Sequence, residues 1–194
     1  MTEDQLINLP NPHLRESSKK VGYIDEAVTK LIQKMEQITL DWEATREHEV
    51  GVALAAIQID IPLRVVIVRS DFDNKKDTTF QAFINPVITK YEGEIMTDFE
   101  GCLSIKDVYG KVPRYSKVRI KALGVNGKEI RLTAEGFLAR VFQHEIDHTN
   151  GVVFIDHIKD VPEAFYNLND EGSLQQLDYE KDIKTNDSLW STTE

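Results

Sequence analysis

A single cysteine, Cys102, excludes an internal disulfide and agrees with a reducing, cytoplasmic compartment. No run of roughly eighteen apolar residues occurs, so neither a transmembrane helix nor a membrane partner is expected. Basic residues are scarce, with 23 Lys and Arg against 33 Asp and Glu and a formal net charge of −10. Sequence-independent contact with nucleic acid needs a basic surface, so direct nucleic-acid binding is excluded. The opening residues, Met1-Thr2-Glu3-Asp4-Gln5, are acidic. They lack the basic-then-apolar order of a signal peptide and the arginine-rich character of a transit peptide. Internal repeats and low-complexity stretches are absent.

What is present suits one domain with a sizeable core: 194 residues, 41% of them hydrophobic. Ile24, Ala27, Val28, Leu31, Ile32, Met35 and Ile38 recur at helical spacing, predicting an amphipathic helix that ends near 42–46. Strands are predicted at about 64–69, 81–92, 116–124 and 128–133, the last two joined at Asn126-Gly127 by a type I′ hairpin. A second helix is predicted from about Ala134 to Thr149, stopped by Asn150-Gly151. The implied fold class is α+β, with mixed or antiparallel strands wrapped around that central helix. From Asp160 onward nine acids face two bases, carrying −7 of the net charge. The expected organisation is a catalytic domain over 1–165 and an acidic tail over 166–194, a short helix or disordered. Removing that tail is expected to leave activity near normal unless Leu189 and Trp190 pack it onto the core.

The densest chemistry lies in Gln143-His144-Glu145-Ile146-Asp147-His148. Two histidines four apart share one helical face and can reach one metal ion. Glu145 beside them is placed to take a proton from a water activated by that metal. Catalytic sites of this kind usually have three protein ligands and an open position. The metzincin pattern needs a histidine where Phe154 stands. Glu163 and Glu171 lie in polar sequence without an apolar helical pattern. Cys102, in Glu100-Gly101-Cys102-Leu103-Ser104, remains as the third candidate. One thiolate with two imidazoles suits Fe(II), Zn(II), Ni(II) or Co(II), not Mg or Ca. Gly51-Val52-Ala53-Leu54-Ala55-Ala56-Ile57-Gln58 reads most simply as a tight, well-packed entry to the strand at 64–69. Its other reading is a groove wall that pairs with an extended peptide, with Gln58 donating to a substrate carbonyl.

Together these blocks resemble the peptide deformylases. That family shows glycine-x-glycine-leucine-alanine-alanine-x-glutamine, then glutamate-glycine-cysteine-leucine-serine, then glutamine-histidine-glutamate-x-aspartate-histidine. Here they stand in the same order as GVALAAIQ, EGCLS and QHEIDH. Asn11-Pro12-His13-Leu14-Arg15, Val112-Pro113-Arg114 and Gly136-Phe137-Leu138-Ala139-Arg140 extend the likeness, which spans about residues 6–158. The resemblance implies hydrolysis of the N-formyl group from the initiator methionine of nascent polypeptides, with release of formate. It implies Cys102, His144 and His148 as metal ligands, with Fe(II) native and Zn(II), Ni(II) or Co(II) able to substitute. Glu145 is then the general base, and Gln58 and the backbone N–H of Leu103 polarise the formyl oxygen. Gly51 and Val52 border the peptide groove, and Ala53, Glu100 and Gly101 fall on the same substrate side. Ribosome contact is expected to be weak at most, because the acidic tail would be repelled by phosphate-rich RNA.

Three positions depart from the family pattern: Ala53 replaces its second glycine, Lys106 a proline and Thr149 a leucine. Competing readings are a zinc peptidase, an inactive peptide- or metal-binding homologue, and a closed structural zinc site. The cysteine block argues against the first. The presence of Glu145 and Gln58 argues against the second, and the lack of a fourth Cys or His near the motifs against the third.

Overall fold

A computed structural model describes residues 5–190. The acidic residues before Gln5 and the last four residues of the expected tail lie outside them. The first long element is helix α1, Glu26–Ala44, opened by the Asp25 carboxylate accepting from the Val28 N–H at 3.1 Å. Strands β1 (Ala53–Ala55), β2 (Val65–Arg69), β3 (Phe80–Cys102), β4 (Ile105–Leu123) and β5 (Glu129–Glu135) follow. Next comes α2, Gly136–His148, and then β6 (Phe165–Leu168), β7 (Leu174–Gln176) and a last turn of helix, α3 (Asp187–Trp190).

All seven strands join one antiparallel sheet in the order β1-β2-β3-β4-β6-β7, with β5 also on β4. β2 is buried along its whole length, because each of its faces meets a different helix. Leu54, Val65, Ile67 and Ile84 pack with Leu31, Met35 and Ile38 of α1. Ala55, Val66, Val68 and Phe83 pack with Ala139, Val141 and Phe142 of α2. The period-two alternation of a strand thus feeds two cores, which is why its sequence reads as continuous apolar residues. Ala27, expected in the α1 stripe, is exposed at the helix start.

α2 occupies a gap along β4. β5 pairs with β4 at 117–123 and β6 pairs with it at 109–110. At the intervening Tyr115, the Gln143 amide accepts from the backbone N–H at 3.0 Å and donates to the carbonyl at 2.9 Å. A side chain thereby makes the pair of bonds a strand residue would make. The C-terminus of α2 is closed by Val152 N–H on the Asp147 carbonyl and Gly151 N–H on that of His148, a Schellman pattern. Gly151 has φ +76°, and a Cβ there would lie 2.3 Å from the Arg15 carbonyl oxygen.

Three sequence expectations change. The hairpin joining β4 to β5 is not type I′, which needs positive φ at both central residues. Only Gly127 has it (+73°), and its N–H bonds to the Gly124 carbonyl, as in a type I turn followed by a bulge glycine. β3 and β4 run much further than the alternation suggested, bending through four register shifts. The boundary at 165/166 falls inside β6, and the segment after it is folded. Phe165, Ile183 and Leu189 are buried together with Ile155 and Ile158, and Trp190 and Tyr179 pack against them. Acidic residues on the outer face masked this apolar set in the composition.

Candidate metal centre

α2 brings His144, Glu145 and His148 to the sheet, and the bulge at Glu100/Cys102 turns the end of β3 toward them. Ligand atoms of Cys102, His144 and His148 all lie within 4.8 Å of one another. Cys102 Sγ is 3.3 Å from His148 Nε2. The edge of a tetrahedron built on ordinary metal–sulfur and metal–nitrogen bonds is about 3.5 Å, so this spacing fits two ligands of one ion. The imidazoles meet edge to face, 4.9 Å apart.

The surroundings supply what such a site needs. Glu100 Oε2 lies 3.0 Å from His144 Nδ1, and the carboxylate also takes Arg114 at 2.9 and 3.1 Å and Arg140 at 2.8 Å. Burial raises the Glu100 pKa, but hydrogen bonds from His144 and Arg114 outweigh it, so the group sits far below the usual carboxylate range. Arg114 continues to Asp147 at 2.5 Å, and Asp147 to His157 at 2.7 Å. Burial drives His148 well below its ordinary pKa, keeping it neutral as a ligand must be. His144 is driven well above its own: burial opposes this, but bonds to Cys102 and Glu100 prevail. A pocket that draws positive charge onto one imidazole is suited to a cation. Glu145 is almost fully buried, and one of its oxygens has no hydrogen-bond partner. Burial raises its pKa to about 7, the range useful for moving protons at neutral pH.

The other expected site residues divide. Gln58 is held by its Oε1 on the Ala55 N–H at 2.8 Å, and its Nε2 faces Ser104 Oγ at 3.2 Å and Cys102 Sγ at 3.5 Å. Leu103, Val52, Ala53 and Gly101 line a cavity of about 360 Å³ that also reaches His144 and Glu145. Gly51 does not line it. Its N–H bonds Glu43, its carbonyl takes Arg69, and a Cβ would lie 2.5 Å from Thr39 Cγ2. Glu100 borders the cavity, but its carboxylate is engaged by His144 and two arginines, an arrangement that orients the His144 ring. Gly101 leaves room for the Tyr109 ring, 2.6 Å from where its Cβ would be.

The departures from the family pattern are resolved as well. Non-glycine residues with positive φ are Asp60, Asn85 and Asp107, so Ala53 carries no left-handed strain. Thr149 is fully buried, donating to the Ile146 carbonyl and accepting from Arg64. Lys106 is exposed.

Sequence reasoning missed the work of Arg114 and Arg140, although both stood in quoted motifs. Their partner Glu100 is 14 and 40 positions away, beyond any local pattern. It also missed Tyr109, whose hydroxyl donates to Glu49 across the cavity mouth, and the wall supplied by Leu168 and Leu174.

An HExxH helix whose two imidazoles meet a strand-borne cysteine, on an α+β scaffold, defines a metal-binding hydrolase. Residues 4–163 match the polypeptide deformylase family. The chain belongs to that family, whose function is the deformylation of nascent polypeptides. It is 41% identical over 158 residues to a peptide deformylase of Agrobacterium fabrum, covering 81% of this chain and 88% of that protein. A crystallised Plasmodium falciparum peptide deformylase superposes with a TM-score of 0.72 at 32% identity, covering 80% of this chain and 87% of that one. A Met-Ala-Ser-bound class I type b peptide deformylase from Acinetobacter baumannii gives 0.70 at 29% identity, covering 79% and 96%.

Proposed function

We propose that this chain removes the formyl group from the initiator methionine of new polypeptides with Cys102, His144 and His148 holding the metal and Glu145 moving the proton. The observation that carries this reading is the convergence of the three ligand atoms beside a buried, partnerless carboxylate oxygen. When bound, a divalent metal supplies Lewis acidity, which makes water a usable nucleophile near neutral pH.

The chain's own residues supply the rest. Glu145, with a pKa near 7, takes a proton from the attacking water and passes it to the leaving amine. The Gln58 amide and the Leu103 N–H donate to the formyl oxygen as negative charge develops there. One such donor is worth about 3 kcal/mol in a dry site. Gln58 is oriented before substrate arrives, because its carbonyl end is already committed to the Ala55 N–H. β1 is an edge strand, and its first residue Ala53 and the preceding Val52 line the cavity, so an extended peptide can run along it as an added strand. The Met-Ala-Ser bound to the Acinetobacter relative supports a peptide in this groove.

The donor set suits Fe(II), Zn(II), Ni(II) or Co(II) alike, and the resemblance to the deformylases implies Fe(II) as the native metal with the others as substitutes. A single cysteine and the absence, among the described residues, of any helix long and apolar enough to cross a membrane support a cytoplasmic setting. Any ribosome contact is weak and made through surfaces other than the acidic C-terminal segment. Anaerobic purification with metal analysis, followed by formate release from a short formyl-methionyl peptide, tests the reading. Formate at one metal per chain is expected, and a metal-loaded protein without turnover overturns it.

A further inference from the structure

We propose that the β6–β7 hairpin, which lies beyond the family match at 4–163, is a selectivity wall that reads apolar side chains of the peptide following the initiator methionine. This rests on the deformylase reading above.

The hairpin is built to be rigid. Phe165 and Tyr166 pair with Gly110 and Tyr109 of β4, and Tyr166 packs edge-on against Phe99 at 5.0 Å with Lys111 over both rings. At the tip, the Asn169 side chain accepts from the Glu171 and Ser173 N–H groups, and its backbone N–H bonds the Ser173 carbonyl. Gly172 then rests against His48, whose ring would lie 2.9 Å from any Cβ there. The hairpin therefore spans from β4 to the 45–50 loop, with the cavity beneath it.

Leu168 and Leu174 lie directly opposite each other in register, so they share one face, and both line the 360 Å³ cavity. A second cavity of about 250 Å³ shares Trp42, Glu49, Cys102, Leu103, Tyr109 and Leu168 with the first. His144, Glu145 and Gln58 do not line it. It branches off beside Cys102, and Leu168 stands at the junction. A peptide whose formyl group sits at Glu145 and whose chain runs along β1 faces this apolar pair across the same cavity, which favours apolar side chains.

The test compares formyl-Met-Leu-Leu with formyl-Met-Gly-Gly in the metal-loaded full-length chain. In Leu168→Ala and Leu174→Ala, kcat/KM for the leucyl peptide should fall about tenfold, through KM with kcat kept, while the glycyl peptide changes less than about twofold. Leu168→Phe narrows the cavity on the hairpin side and should also raise KM for the leucyl peptide alone. This variant keeps the proposal testable if the alanine variants fold poorly. Equal losses on both peptides, a fall in kcat at constant KM, or a Leu168→Phe enzyme unchanged on both overturns the selectivity wall. Wild-type enzyme that releases no formate from either peptide overturns the deformylase reading itself.

Discussion

The carboxylate of Glu100 lies 3.0 Å from Nδ1 of His144 and is itself clamped by Arg114 and Arg140. The bond sets the ring so that Nε2 is left for the cysteine side. Such outer partners of metal-binding histidines typically contribute 10–100-fold in metal affinity. Glu100→Gln is therefore expected to weaken metal retention by about that factor while leaving Gln58 and Glu145 in place. Chelator competition measures it. Unchanged affinity would show that the ring is oriented by packing alone.

Glu145→Gln separates proton transfer from metal binding. The variant should keep one metal per chain and lose about 10²–10⁴ in kcat. Stoichiometric loss of metal would make Glu145 a ligand and not a base.

Cys102 is half-buried and lines both cavities, so oxidants reach it. The iron-loaded enzyme should lose activity in air and be protected by reductant and catalase, while zinc- or nickel-loaded enzyme resists. Equal air stability of the iron and zinc forms counts against a thiolate on iron.

The C-terminal segment can now be assigned a stability role. Ile183 is fully buried and Leu189 nearly so, beneath Ile155, Ile158 and Phe165. Ile183→Ala should cost about 2–5 kcal/mol in denaturant unfolding. Truncation after Tyr166 should lower both stability and peptide turnover, because it removes this packing and Leu168 and Leu174 together. A truncated enzyme with normal turnover and stability would restore the tail to a dispensable appendage.

Gly51 is expected to be intolerant for packing reasons. Gly51→Ala places a methyl against Thr39 Cγ2 and near the Thr39 carbonyl, costing about 1–3 kcal/mol. Adding Thr39→Ser removes the nearer clash and should recover part of the loss in thermal unfolding. Full tolerance of Gly51→Ala alone would mean that α1 shifts freely.

The clustering of Cys102, His144 and His148 was legible in the sequence because helical periodicity puts His144 and His148 on one face, and because there is a single cysteine to join them. α1 and β2 were legible for the same local reason. What escaped was long-range. The Glu100–Arg114–Arg140 cluster joins three separate elements, so its motifs were visible but its roles were not. The Leu168–Leu174 wall lay in a stretch whose surface charge hid alternate buried apolar residues. Gly51 looked like groove backbone, yet its position is dictated by Thr39 of α1.

The Gln143 amide on Tyr115 has a consequence for precision at the centre. A helix can ordinarily roll on a sheet as its side chains readjust, and each residue of roll turns it by about 100°. Here α2 is stitched to β4 by two hydrogen bonds one residue before His144. The bearing of the imidazoles is inherited from the geometry of strand pairing, a harder constraint than apolar contact. Drift in the surrounding core can then accumulate between homologous sequences without turning the imidazoles away from Cys102.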